Sequence, residues 1–353
     1  MNTSVLIRFA CCFLCFSGFA QKAAPRSYVA YHIEKPLQID GKADENVWKS
    51  APFSEVFIDI EGDKIPKYDT RVKMLWDDKN LYFYAEMIEP HVWATLKQRD
   101  TVIFYNNDFE IFIDPDGDTH NYYEFEMNAL NTVWDLFLVK PYREPAPIVD
   151  SWDIQGLQTA VSINGTLNDP TDTDTGWSVE IAIPWSVLLE ASGSNELPAD
   201  DFWRINFSRV NWDFDLTDNK YSRAKDDSGK FLPEYNWVWS PQGVINMHEP
   251  EHWGYVYFSS KPVEEPESFT IPVDEQIRWK LYEFYRKQKQ YFNSHKSWAS
   301  KLADIDAERF EVNGKFLKPV IDNHELGWTI FVESPFTGFL YAIQQDGKFS
   351  KIK

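Results

Sequence analysis

Cysteine is almost missing from this 353-residue chain, and its three copies, Cys11, Cys12 and Cys15, all fall within the first twenty positions. Those twenty residues have the build of an export leader. Arg8 precedes an apolar run at 9–16, and Gly18-Phe19-Ala20 supplies the small residues a signal peptidase needs. Cleavage is expected after Ala20, and the run is too short to cross a bilayer as a transmembrane segment. None of the three cysteines follows a Leu-small-small pattern, so a lipid anchor is not expected. The chain beyond the leader then has no cysteine. That excludes disulfides, thiolate metal sites and a cysteine nucleophile. An exported chain without disulfides fits a periplasm, a cell surface or free secretion.

Basic residues are also few: 35 Lys and Arg stand against 55 Asp and Glu, a formal charge of -20. Such a balance repels nucleic acid and anionic membranes. The seven scattered histidines argue against a catalytic zinc. Acidic oxygens are compatible with calcium. Aromatics are abundant, at 16% of residues with 15 Trp. Most will fill a core, but the surplus suits stacking against the apolar faces of sugar rings.

Short alternating runs separated by turns dominate residues 35–260. Residues 72–76 alternate, Asp77-Asp78-Lys79-Asn80 turns, and residues 81–86 return as a hairpin. Residues 109–113 lead into Asp114-Pro115-Asp116-Gly117-Asp118, and residues 122–127 come back. Further strands are expected at 132–139, 157–163, 177–183, 203–209 and 254–258. The expected fold is all-β, an antiparallel β-sandwich with jelly-roll-like, immunoglobulin-like layering, after a lead-in at 21–34. A Pro/Glu linker at 262–267 precedes one helix, capped by Asp274 and running to His295, with Ile277, Leu281, Phe284, Tyr285 and Phe292 at helical spacing. Residues 328–333 and 339–344 form a hairpin, so 261–353 is read as a C-terminal helix–hairpin extension.

Six blocks in order resemble the family 9 carbohydrate-binding modules. They are Ile39-Asp40-Gly41 through Trp48, Val72 through Glu89 with Leu75-Trp76-Asp77 and Leu81-Tyr82, and Asn107-Asp108-Phe109-Glu110-Ile111-Phe112-Ile113-Asp114. Gly176-Trp177 through Pro184-Trp185, Trp203-Arg204-Ile205-Asn206 and His252-Trp253-Gly254 complete the series. The resemblance implies a sugar held between two aromatic rings, with polar groups on its hydroxyls and acidic turns holding calcium. Carried over residue by residue, it places Tyr105 near the first stacking position and Glu110 and Asn128 at polar positions. Glu126 stands where the family has Arg, and Met247 falls where the second stacking Trp belongs, so Trp237, Trp239 or Trp212 is needed for the other face. The expected site is Tyr105, Glu110, Asn128, Trp237 and Met247, with Asp114, Asp116 and Asp118 as calcium ligands. The reading is of a non-catalytic binder of poly- or oligosaccharide, working alongside separate glycoside hydrolases.

Three other classes are open at this point, one of them a structural or interaction module of a surface complex that docks through 261–353. Glu110 with Glu124 or Glu126, on adjacent expected strands, has the residue types of a glycosidase acid–base pair. Met247, His248 and Met127 have the residue types of haem axial ligands, although no haem-attachment cysteine motif is present.

Overall fold

The computed structural model describes residues 24–353; the expected leader, residues 1–20, lies outside the described residues. In chain order the first unit runs β1 (Ser27–His32), helix α1 (Asn46–Ser50), β2 (Ile58–Asp59), β3 (Thr70–Trp76), β4 (Asn80–Ile88), β5 (Asp108–Asp114) and β6 (Tyr122–Asn128). It continues with β7 (Val133–Leu138), β8 (Ile148–Val149), β9 (Gln158–Asn164), β10 (Gly176–Pro184), helix α2 (Trp185–Leu188) and β11 (Phe202–Asn211). The hairpin β12 (Phe214–Thr217) and β13 (Lys220–Arg223), then β14 (Tyr235–Val238) and β15 (Gly254–Ser259), complete it. Each strand expected from alternation is present within a few residues of its expected ends.

Two layers face one another, as the all-β sandwich reading requires. One has the order β9-β10-β4-β3, the other β8-β7-β6-β5-β11-β15. β1 joins them, pairing in parallel with β15 through residues 27–31 and with β3 at Tyr31 and His32. Ser27–His32 falls in the expected lead-in, yet it is a strand of the sandwich. The core follows from period-two side-chain placement. β5 sends Phe109, Ile111 and Ile113 inward, β6 sends Tyr123, Phe125 and Met127, and β4 answers with Leu81, Phe83 and Ala85. Phe83 and Phe207 meet across the layers with ring centroids 5.7 Å apart. Each such large apolar side chain contributes roughly 1.5–3 kcal/mol by leaving water.

The Asp40-Gly41…Trp48 signature has a physical basis in Glu180 on β10. Its buried carboxylate accepts the Asp40 and Gly41 amide hydrogens through Oε2 and the Trp48 indole hydrogen through Oε1, at 2.8, 3.1 and 2.9 Å. One carboxylate therefore fixes the turn, helix α1 and the outer side of this layer together.

The extension has its own core. Helix α3 (Glu275–His295) packs Ile277, Leu281, Phe284 and Tyr285 against Trp328, Ile330, Val332 and Ile343. The expected hairpin is part of a four-stranded sheet, β18 (Val320–His324), β19 (Gly327–Glu333), β20 (Leu340–Gln344) and β21 (Phe349–Ile352), preceded by the small pair β16 (Phe310–Val312) and β17 (Lys315–Leu317). Asp274 does not cap the helix with its side chain. Its carboxylate instead accepts the hydroxyls of Ser334, Thr337 and Tyr341, tying the helix start to the hairpin turn. Among the described residues no helix is long and apolar enough to cross a membrane.

Candidate functional site

The side of β5, β6, β7 and β11 that faces away from the core carries the unusual chemistry. Alternation leaves Asp108, Glu110, Phe112 and Asp114 of β5 on this outer face, beside Tyr122, Glu124, Glu126 and Asn128 of β6. Strand register sets Ser208, Glu110, Glu126 and Trp134 in one row, with Asn206, Phe112, Glu124 and Leu136 in the next. These carboxylates are not solvated: Asp108 is 0%, Glu126 1%, and Glu110 and Glu124 each 5% exposed. Among the described residues no Lys or Arg pairs with any of the four. The basic contact is His248, whose Nε2 lies 3.8 Å from Glu124 Oε1.

Four buried acids without a cation resist ionisation. Burial pushes Glu110 up to about 7, the Ser208 hydroxyl opposing and the Glu234 charge adding to it. Burial, and then the Glu110 charge, raise Asp108, Glu124 and Glu126 as well. His248 moves the other way. Burial, helped by Arg143, holds it down at about 3, so the ring is neutral. A neutral ring that accepts the Tyr122 hydroxyl at Nδ1, 2.9 Å away, carries its hydrogen on Nε2 toward Glu124.

Two half-exposed rings stand close to these acids, each through one neighbouring residue. Tyr105, 45% exposed, ends the 3-10 turn Ile103–Tyr105. That turn is fixed by the Phe104 amide donating to Glu126 Oε2 at 3.0 Å and by the Trp212 indole donating to the Phe104 carbonyl at 2.8 Å. The Arg223 guanidinium sits 4.4 Å from the Tyr105 ring, 4.7 Å from Trp212 and 4.1 Å from Phe231. Tyr142, 50% exposed, packs edge-on against His248 with centroids 4.0 Å apart. Met247 lies beside it, packed on the cluster of Phe112, Tyr122, Leu136, Leu138 and Trp253.

The structure thus brings Tyr105, Glu110 and Met247 to one face. It does not bring Trp237 there. Trp237 is 2% exposed in the sandwich core, stacked on Tyr235 and 5.1 Å from Arg209, and presents no ring face to solvent. Trp239 and Trp212 are buried too, at 1% and 6%. Asn128 lies on the face, but its groups are spent locally. Its amide nitrogen donates to the Leu96 carbonyl, and its oxygen accepts the Leu130 and Thr132 amides, so it shapes the turn after β6. Asp108, Tyr142 and Arg223 were missed by sequence reasoning. Asp108 was legible, because it shares the face of Glu110 two positions on, whereas Tyr142 sits in a loop with no pattern to mark it. Met127 points into the core while His248 lies on the outer face, so those two do not bracket one ligand.

Asp114, Asp116 and Asp118 do cluster, with one oxygen of each within 4.8 Å of the others. Asp114 accepts the Gly117 and Thr119 amides, Asp116 the Asp118 amide, and Asp118 the His120 amide. Burial and the Asp118 charge push Asp116 up to about 6. Burial, then Asp116 and Asp118, raise Asp114 as well, with the Arg278 charge opposing, and Lys348 Nζ is 3.1 Å from Asp118 Oδ2. Two cations of the extension thus act on these three carboxylates.

The sequence model of the family described as carbohydrate family 9 binding domain-like matches residues 39–213 of the chain, from the Asp-Gly turn to the end of β11. Residues 39–213 belong to this family. Among its relatives is an endo-1,4-beta-xylanase A of Thermoanaerobacterium saccharolyticum, 25% identical over 156 residues, which are 44% of this chain and 11% of that enzyme. The exoglucanase XynX of Acetivibrio thermocellus is also 25% identical over 156 residues, 44% of this chain and 12% of that one. This chain therefore spans about an eighth or less of those proteins' length. Among solved structures, a putative carbohydrate-binding protein from Bacteroides uniformis shares 18% identity at a TM-score of 0.49, covering 67% of this chain and 100% of that one. A family 9 module of Caldicellulosiruptor kristjanssonii in complex with cellotriose shares 15% at 0.42, covering 70% and 100%.

The family 9-like match includes Tyr105, the four acids and Tyr142 but ends before β14. Met247 and His248 reach the same face from beyond it. The rim near Tyr142 is therefore built by chain outside the matched span.

Proposed function

We propose that this family 9-like domain binds an oligosaccharide on its outer face, over the Glu110–Glu126 row, without transforming it. The observation that carries the reading is the pair of half-exposed rings, Tyr105 and Tyr142, beside one acidic sheet face, the first next to Phe104, whose amide donates to Glu126, and the second packed on His248 beside Glu124. A pyranose presents apolar faces to such rings and hydroxyls to the polar groups around them. The family match supports a sugar as the ligand, and the names of the two relatives, an endo-1,4-beta-xylanase and an exoglucanase, point to xylan or glucan chains. In this reading the exported protein captures polysaccharide for partner hydrolases. Affinity electrophoresis through soluble xylan and β-glucan tests it. Retardation in one gel that Tyr105→Ala abolishes supports the reading, and equal mobility with and without polysaccharide contradicts it.

One observation favours a second reading. Glu110 and Glu126 have oxygens within 4.8 Å of one another, close enough to share a scissile bond. Turnover of aryl glycosides that disappears in Glu110→Gln would replace binding by catalysis.

A further inference from the structure

The acid floor has more anionic oxygen than sugar hydroxyls require. Asp108, Glu110 and Glu126 each offer an oxygen within 4.8 Å of the other two, from rigid neighbouring strands. The amides nearby occupy only part of this set. Val210 N–H goes to Asp108 Oδ1 at 3.2 Å, and Phe104 N–H to Glu126 Oε2 at 3.0 Å. Asp108 Oδ2 is buried with no hydrogen-bond partner. Outside the trio, Glu124 shares their face two residues from Glu126, and its buried Oε2 is equally unpartnered. Unsatisfied buried acceptors of this kind are uncommon in native proteins, and each calls for an explanation. An unpaired buried charge is more costly still.

The Asp114–Asp118 turn has its countercharge from Lys348, and the Glu251 carboxylate has Arg143 and Arg286. This floor has no Lys or Arg partner among the described residues. Exposure decides what can supply the missing charge. At 5% or less exposed, the four side chains suit a small bare ion better than a long Lys or Arg side chain. A hard set of carboxylate oxygens suits calcium, which takes six to eight oxygens and accepts irregular geometry.

We propose that Asp108, Glu110 and Glu126 hold a calcium ion at the floor of the sugar site, and that sugar hydroxyls complete its coordination. This rests on the proposed sugar site and specifies how that site reads its ligand. Glu126 then has a ligand role in the position where the family resemblance places Arg. This ion lies on the strands that carry the site, apart from the Asp114–Asp118 turn expected in the sequence.

The test separates the ion from the sugar. Protein stripped with chelator is titrated with calcium chloride in a calorimeter, with no glycan present. One calcium is expected to bind to the unaltered chain and to Asp116→Asn, with binding lost or at least tenfold weaker in Glu126→Gln and Glu110→Gln. Melting curves of the calcium-free proteins check the fold, and both Gln variants should melt no lower than the unaltered chain because each removes repulsion. Absence of calcium uptake by the unaltered chain, or unchanged uptake by Glu126→Gln, overturns the proposal. Glycan binding is then measured with calcium and with chelator. Its loss on chelation is expected. Glycan binding that survives chelation overturns the bridging ion and leaves the sugar reading intact, whereas calcium uptake without any glycan binding upholds the ion and removes the sugar.

Discussion

Glu110 on β5 lies directly opposite Glu126 on β6 in strand register, and both carboxylates are buried. Like charges in such positions oppose one another. Burial makes the folded protein hold protons here that the unfolded chain releases, and it raises Glu110 from an ordinary 4.5 to about 7. A raised folded-state value gives stability that is complete below pH 4.5 and is lost as pH rises through about 7. Calcium-free protein should accordingly melt lower at pH 7.5 than at pH 5, and Glu110→Gln should flatten that fall. Parallel melting profiles for the two proteins would contradict the assignment.

Tyr105 and Trp237 make a matched contrast. Tyr105→Ala should leave melting almost unchanged and weaken oligosaccharide binding by ~1–3 kcal/mol, the range for aromatic stacking platforms. Trp237→Ala removes a ring buried between Tyr235, Tyr68 and Arg209. It should lower stability by roughly 3–5 kcal/mol. Denaturation and titration calorimetry on both variants read the two effects separately, and a Trp237 variant of normal stability with lost binding would reverse the roles.

Glu251 joins the extension to the sandwich. It is 1% exposed and accepts from Arg143 at 3.1 Å and from Arg286 of α3 at 2.7 Å. Burial alone would raise it, but the two guanidinium groups prevail and hold it at about 2. The sign is opposite to that of Glu110: this stability is present above pH 4.5 and is lost as pH falls through about 2. Glu251→Gln should destabilise by roughly 2–3 kcal/mol, less than a fully buried pair because Arg286 is partly exposed. Limited proteolysis at pH 7 should then cut the 261–274 segment faster than in the unaltered chain. An unchanged rate would show that other contacts hold the extension.

Gly41 has a φ of +87°, and a Cβ there would lie 2.8 Å from the backbone of Val161 and Ser162. Gly41→Ala should therefore lower the urea midpoint, by roughly 1–3 kcal/mol of stability. A midpoint equal to that of the unaltered protein would show that the turn can move aside.

The sandwich was legible because hairpins such as 72–88 and 109–127 alternate cleanly and their turns carry Asp, Asn and Gly. Asp77 is an example, its Oδ1 accepting the Lys79 and Asn80 amides at 2.7 Å. β1 was not legible, because its partners β15 and β3 are distant in sequence and pair with it in parallel. Of the proposed site, Tyr105 and Glu110 were already candidates in the sequence. The rest was hidden because both faces of this layer are buried: every residue of β5 and β6 is buried. Alternation then says which residues share a face but not which face holds the ligand. Trp237 was expected at the site only because Met247 stands where the family resemblance places a second stacking ring. The Lys348 contact was hidden too, since nothing local links residue 348 to the turn at 114–118.

The most direct test of a sugar site on the outer face is a glycan-array screen with calcium, comparing the unaltered protein with a Tyr105→Ala/Tyr142→Ala double variant of equal melting temperature. The account predicts that the unaltered protein binds one glycan class and that the double variant loses it. No binding by the unaltered protein, or the same binding by the variant, would contradict it.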